Sequence, residues 1–326
     1  MTKPRVLLIG ATGRTGGSIL NCLLEAGNFS VEVLIRPSSS TKPSVLALKD
    51  LNIKIHIAEI SDSTHLAEIL TGINTVISAI GPTAHNEQIP LANAAKKAGV
   101  KRFVPCGFTT VAPPGNIMWI RDHKEEIYQH IRKLHLPYTI IDVGIWYQVS
   151  FPTVPSGRTD YASILLPNVT ILGDPNMKTA ITDIRDIGTY VAEITADERT
   201  LNKFVFVYGE LLSQEEVFGK VEELSGEKLE RVLVPPELLL TLRDEARAFF
   251  QYDFSNMKEA IKVIGLEYAY SKFVRNDNCP DYAKYLGYLD ARDLYPEFVP
   301  RTFEDFVREL LEGKAAQLFA GESYQW

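Results

Sequence analysis

Val6-Leu7-Leu8-Ile9-Gly10-Ala11-Thr12-Gly13-Arg14-Thr15-Gly16-Gly17 is the stretch whose reading decides the fold. Four aliphatic residues in a row read as a buried parallel strand, and the glycines that follow at GxxGxxG spacing open a helix. Gly10 permits the tight turn out of the strand, Gly13 lets backbone N–H groups approach a pyrophosphate, and Gly16 lets the helix close on the sheet. The positive end of that helix suits a phosphate anion. Thr12, Arg14 and Thr15 lie between the glycines and join them as candidate cofactor contacts. A glycine-rich turn without ligand has the same spacing; here strand, loop and helix fall in order within a first βαβ unit, which favours a dinucleotide.

Outward from this loop, short aliphatic runs alternate with helical spacing as far as about residue 142. Strands are predicted at Arg5–Ile9, Val31–Ile35, Ile53–Ile57, Thr75–Ala79, Arg102–Pro105 and Tyr138–Val143, with helices at Arg14–Ala26, Ser44–Leu51, His65–Leu70, Asn86–Ala98 and Trp119–Leu134. Right-handed crossovers then give an α/β fold, a doubly wound parallel Rossmann-type sheet whose ligand crevice lies beyond the strands' carboxyl ends. After residue 144, Pro152, Pro155 and Gly157 interrupt the pattern. A smaller mixed α/β lobe is expected there, with helical spacing at Asp186–Thr195, Ser213–Glu223, Glu237–Phe250 and Thr302–Leu318. The expected division is an NADP(H)-binding domain over 1–150 and a substrate lobe over 151–326, packed together, with strand exchange between them allowed.

The second strand selects the cofactor. Sites for NAD usually place an acid at its carboxyl end to bond the ribose hydroxyls, whereas this chain has Arg36, followed by Ser38 and Lys42. A planar guanidinium with further donors behind it suits a 2′-phosphate, so the cofactor reads as NADPH. The alternative is that Arg36 is a solvated loop charge.

Composition excludes several other classes. A formal net charge of −7 argues against nucleic-acid binding, which needs a basic face. With 45% hydrophobic and 23% charged residues, the chain is an ordinary globular protein. Cys22, Cys106 and Cys279 form neither a CxxC nor a disulfide framework, the first residues leave no room for a signal peptide, and no apolar run reaches bilayer length. A cytoplasmic protein without membrane attachment is expected. The six histidines form no HExxH pair, so no metal site is predicted, and neither a GxSxG elbow nor a Walker loop is present.

One charge breaks an apolar stripe. Ile120, Ile127, Ile131 and Leu134 recur at helical spacing, and Lys124 occupies the missing place. Such a lysine snorkels, pairs with an acid or faces a ligand cavity, and a desolvated one is suited to proton transfer near neutral pH. The tyrosine four residues before the lysine that ordinary short-chain dehydrogenases use is absent; Ile120 stands there.

Taken together, these residues resemble the isoflavone-reductase-like and NmrA-like branch of atypical short-chain dehydrogenases, over most of the chain. The resemblance is carried by the 10–17 loop, Val100-Lys101-Arg102-Phe103-Val104-Pro105, Lys124 with Ile127, Ile131 and Leu136-Pro137-Tyr138-Thr139, Asp186-Ile187-Gly188-Thr189-Tyr190, Arg199-Thr200-Leu201-Asn202-Lys203, and Ser213-Gln214-Glu215-Glu216. It implies an NADPH-binding domain, a smaller substrate lobe, and reduction of phenolic or related molecules, with Lys124 as the catalytic lysine that assists proton transfer. Two segments depart from the family. Cys106-Gly107-Phe108-Thr109 replaces its Ser-Glu-Phe-Gly, and Gly144-Ile145-Trp146-Tyr147-Gln148 offers a flat surface to a planar substrate. Phe108, His123, Trp146 and Tyr147 are accordingly the candidate contacts to an aromatic or polyketide-like substrate. Two functions follow. One is an NADPH-dependent reductase, expected as a homodimer; the other is a non-catalytic NADP(H)-binding regulator acting through a partner protein.

Overall fold

The computed structural model describes residues 2–318. They form two compact units, each assembled from separated segments of chain. The first comprises the chain up to Phe108, His123–Asp142 and Ile184–Val205; the second comprises Thr109–Asp122, Val143–Asp183 and the chain from Phe206 onward.

In the first unit, β1 (Arg5–Ile9), β2 (Ser30–Ile35), β3 (Lys54–Ile57), β4 (Thr75–Ser78) and β5 (Arg102–Val104) form a parallel sheet in the order β3-β2-β1-β4-β5. Leu8 at the sheet centre stands opposite Val33 on one side and Ile77 on the other. The order reverses at β1, so the carboxyl ends of β1 and β4 open a crevice between their outgoing loops. β6 (Thr139–Asp142) follows a parallel bridge between Phe103 and Tyr138, where the Phe103 N–H donates to the Pro137 carbonyl at 2.8 Å. All six predicted strands are present within a residue or so of their expected ends. The predicted Ser44–Leu51 helix is instead a helical turn at Pro43–Leu46 followed by a 3-10 turn at Ala47–Leu51.

Leu7, Val76 and Phe103 from the sheet, Leu66 and Leu91 from two crossover helices, and Ile127 and Ile131 from the Trp119–Lys133 helix share one buried core. The Arg14–Ala26 helix packs against Ile184–Ala196, where a Cβ at Gly188 would lie 2.2 Å from the Ser18 carbonyl oxygen. Ser18 Oγ seals that contact, donating to the Arg185 carbonyl and accepting from the Gly188 N–H, each at 3.1 Å.

The second unit has its own core around Tyr147, Phe151, Phe303 and Phe306. Glu210–Leu212 pairs antiparallel with Thr179–Thr182, and Val232–Val234 pairs parallel with Thr170–Leu172. Ser213 with Glu216, and Thr302 with Asp305, form reciprocal caps at the starts of two helices. The second of these spans Phe303–Leu311 and stops well short of the predicted Leu318, because Gly313 turns the backbone into the left-handed region at φ 72.

Candidate functional site

Gly10 leaves β1 at φ 83, and a Cβ there would lie 2.4 Å from the Ala79 carbonyl oxygen at the end of β4. A Cβ at Gly16 would lie 2.0 Å from the Gly10 carbonyl oxygen, so helix and loop touch through backbone alone. Gly13 caps the Arg14–Ala26 helix and has no side chain of its own to bond the N–H groups of the first turn. Those donors suit an external acceptor such as phosphate. A cavity of about 200 Å³ opens over this loop, lined by Gly10, Thr12, Gly13, Arg36, Ser39 and Glu87 among others. Arg36 thus stands where the second strand's carboxyl end was expected to read a 2′-phosphate. Ser38 and Lys42 are exposed and do not line the cavity, whereas the neighbouring Ser39 does. Arg14 is exposed and Thr15 half-buried, also outside that lining.

Lys124 is 4% exposed. Its ammonium donates to the carbonyl of Cys106 at 2.7 Å and of Gly107 at 3.0 Å, and lies 3.4 Å from His85 Nε2. Buried ammonium therefore meets backbone dipoles at the carboxyl end of β5, the same edge of the parallel sheet as the glycine loop. The acceptors are supplied by the departure Cys106-Gly107, through backbone rather than side chains. Gln88, fully buried, accepts from the Cys106 N–H at 2.7 Å and holds this turn in place. At Gly107 a Cβ would lie 2.6 Å from the Ile141 carbonyl oxygen, so the turn packs directly on β6.

Burial, with the Lys124 charge adding to it, pushes His85 down to about 2, so its imidazole is neutral. With Lys124 donating to Nε2, the ring proton sits on Nδ1, a buried atom without a hydrogen-bond partner among the described residues. His123 stacks on His85 with ring centroids 5.6 Å apart, is half-buried, and is likewise pushed down, mainly by burial. Burial pushes the Cys106 thiol up, and Sγ donates to the Ile80 carbonyl at 3.2 Å, which describes an inert thiol. Phe108 is 7% exposed with φ 47, a left-handed conformation rare for a bulky residue and typical of functional turns. His85 and the two carbonyls carried no signal in the sequence, because nothing local relates residue 85 to residue 124.

The second unit contains a larger cavity of about 600 Å³, lined mainly by apolar side chains such as Ile145, Phe151, Ile181 and Phe218. Its size suits a drug-sized organic molecule. Tyr147, expected to face a substrate, is instead fully buried against Phe303, and its hydroxyl donates to the Arg301 carbonyl at 3.0 Å. Its ring has no face left for a ligand. Trp146 is half-buried and outside the cavity lining, which takes Ile145 and Val149 on either side of the Trp146-Tyr147 pair. Among the described residues there is no cluster of His, Cys, Asp or Glu that could hold a metal ion, and no helix long and apolar enough to cross a membrane.

The profile of the NmrA-like family matches residues 2–307. Over 320 residues the chain is 42% identical to an asnovolin J 5′,6′-dehydrogenase of Aspergillus novofumigatus, covering 97% of this chain and 98% of that relative. It is 31% identical to a bifunctional pinoresinol-lariciresinol reductase of Thuja plicata, over 75% of this chain and 83% of the reductase. Among solved structures, the binary complex of leucoanthocyanidin reductase with NADPH from Vitis vinifera superposes with a TM-score of 0.79 at 26% identity, over 94% of this chain and 99% of that one.

Proposed function

The chain belongs to the NmrA-like family, and from that premise we propose that it is an NADPH-dependent reductase of a small aromatic or conjugated natural product. The relatives at 42% and 31% identity carry enzyme names, and the solved relative from Vitis vinifera is a complex with NADPH. The glycine cradle fits that cofactor, since side chains at Gly10 or Gly16 would collide with backbone where the loop must stay open. Gly10, Gly13 and Gly16 hold the pyrophosphate and Arg36 takes the 2′-phosphate. When bound, NADPH supplies a hydride.

The observation that carries the reading is the buried ammonium of Lys124 at the carboxyl edge of the sheet. Reduction adds a proton as well as a hydride, and on this reading Lys124 gives it, becoming a neutral amine that solvent reprotonates. Its contact with His85, at 3.4 Å, is longer than either carbonyl contact and is the one a substrate atom displaces. The two carbonyl contacts keep the ammonium aimed while that exchange occurs. The dehydrogenase name of the 42% relative favours a second reading, the same reaction run backward, with neutral Lys124 taking the proton.

C4-deuterated NADPH incubated with quinone-methide, enone and aryl-ketone acceptors tests this reading by mass spectrometry. Label is expected in a product, falling by about 100-fold or more in Lys124→Met with NADPH binding retained. Equal label transfer by that variant would remove the lysine from the chemistry. Tight NADPH binding with no label in any acceptor, and no NADPH formed from reduced counterparts, would favour the regulator reading.

A further inference from the structure

The 600 Å³ cavity of the second unit is apolar except for a few groups, and its charges are of one sign. Among the described residues that line it, Lys262 and Lys272 are the charged ones, Tyr268 is the other titratable group, and there is no Asp or Glu. Tyr268 is engaged, its hydroxyl hydrogen-bonded to Thr109. Lys262 is exposed and sits at the rim. Lys272 is half-buried near the end of the Met257–Phe273 helix, with Nζ 4.6 Å from the Phe273 ring centroid. Among the described residues its ammonium has neither a hydrogen bond nor an ion pair. The aromatic face is a partial substitute for water, and an ammonium so placed gains most from an anion. Burial pushes it down to about 8, so at neutral pH it is still charged.

We propose that this cavity binds an apolar small molecule through one anionic oxygen, a carboxylate or an acidic phenolate or enolate, paired with the ammonium of Lys272. The apolar walls bury the body of the ligand, and the single cation fixes which end enters. A neutral ligand of the same shape leaves the ammonium unpaired against apolar walls, and a cationic one is repelled by both lysines. The proposal deepens the reductase reading by naming the acceptor's class, and rests on that reading only for the ligand being the substrate.

The test uses the full chain and two fluorescent probes of one shape, pyrene-1-butyrate and its neutral carboxamide, titrated without turnover. The butyrate should bind about tenfold or more tightly than the amide, the usual effect of one charge-assisted bond. Lys272→Met should abolish the preference while still binding the amide, which also reports that the cavity is folded; Lys262→Met should retain it. Because the butyrate stays ionised, its advantage should decline as pH rises through about 8, where Lys272 loses its proton. Equal affinities in the native protein, a preference that survives Lys272→Met, or no binding of either probe would each overturn the proposal. Deuteride transfer is read separately. Its failure alongside an intact acid preference would sink the reductase reading and leave this site standing; active transfer without acid preference would do the reverse.

Discussion

On the proposed reading Arg36 selects the cofactor through one charge at the end of β2, an expectation the sequence offers because that strand's carboxyl end is a position defined by the fold. Arg36→Ala should weaken NADPH binding by about tenfold and leave NADH nearly unchanged, measured by quenching of protein fluorescence. Equal losses for both cofactors would make Arg36 the solvated charge of the alternative reading. Lys124 was legible as an interruption in an apolar stripe, but not the company it keeps. The stripe says that residue 124 turns inward; only the fold says that it meets the Cys106 and Gly107 carbonyls and His85 there.

Elements dock through a few buried polar residues, of which Arg102 is the clearest. Its guanidinium donates to Thr139 Oγ1 at 2.9 Å, Thr200 Oγ1 at 2.6 Å and the carbonyls of Ile194 and Asp197 at 3.1 and 2.8 Å. One side chain on β5 thus ties down β6 and the end of the Ile184–Ala196 helix. The family resemblance of Arg102 and of Arg199-Thr200 has this physical content, although the two lie almost a hundred residues apart. Arg102→Ala should cost about 3 kcal/mol or more in chemical denaturation, since three buried acceptors and one half-buried one lose a charged donor. A loss under about 1 kcal/mol would mean that water replaces the guanidinium. The carboxyl-terminal helix is the opposite case. Its hydrophobic spacing suggested continuation to residue 318, but the left-handed Gly313 ends it, a stop signal that periodicity alone overrides too easily.

At the scale of the whole molecule, burial of neutral His85 links stability to pH. Its folded value near 2 lies below the ordinary histidine value of 6.5, so between these pH values the unfolded chain binds the extra proton. Stability from this group is complete above about pH 6.5 and falls as the pH drops below it. Relative to the native protein, His85→Gln should gain about 2 kcal/mol in unfolding free energy on going from about pH 7 to about pH 5. Parallel stability curves for the two proteins would show that the imidazole does not titrate on unfolding. The sequence by itself determined the βαβ alternation, the glycine cradle, the cofactor's class and the inward lysine. Each of these is written in residues a few positions apart, where periodicity and backbone freedom act locally. Tertiary structure alone decided that residues 184–205 complete the first unit, that Tyr147 is spent on the second unit's core, and that Lys272 faces an acid-free cavity. Those outcomes depend on which distant segments close upon one another, and desolvation, which gives His85 and Lys272 their chemistry, exists only once they have.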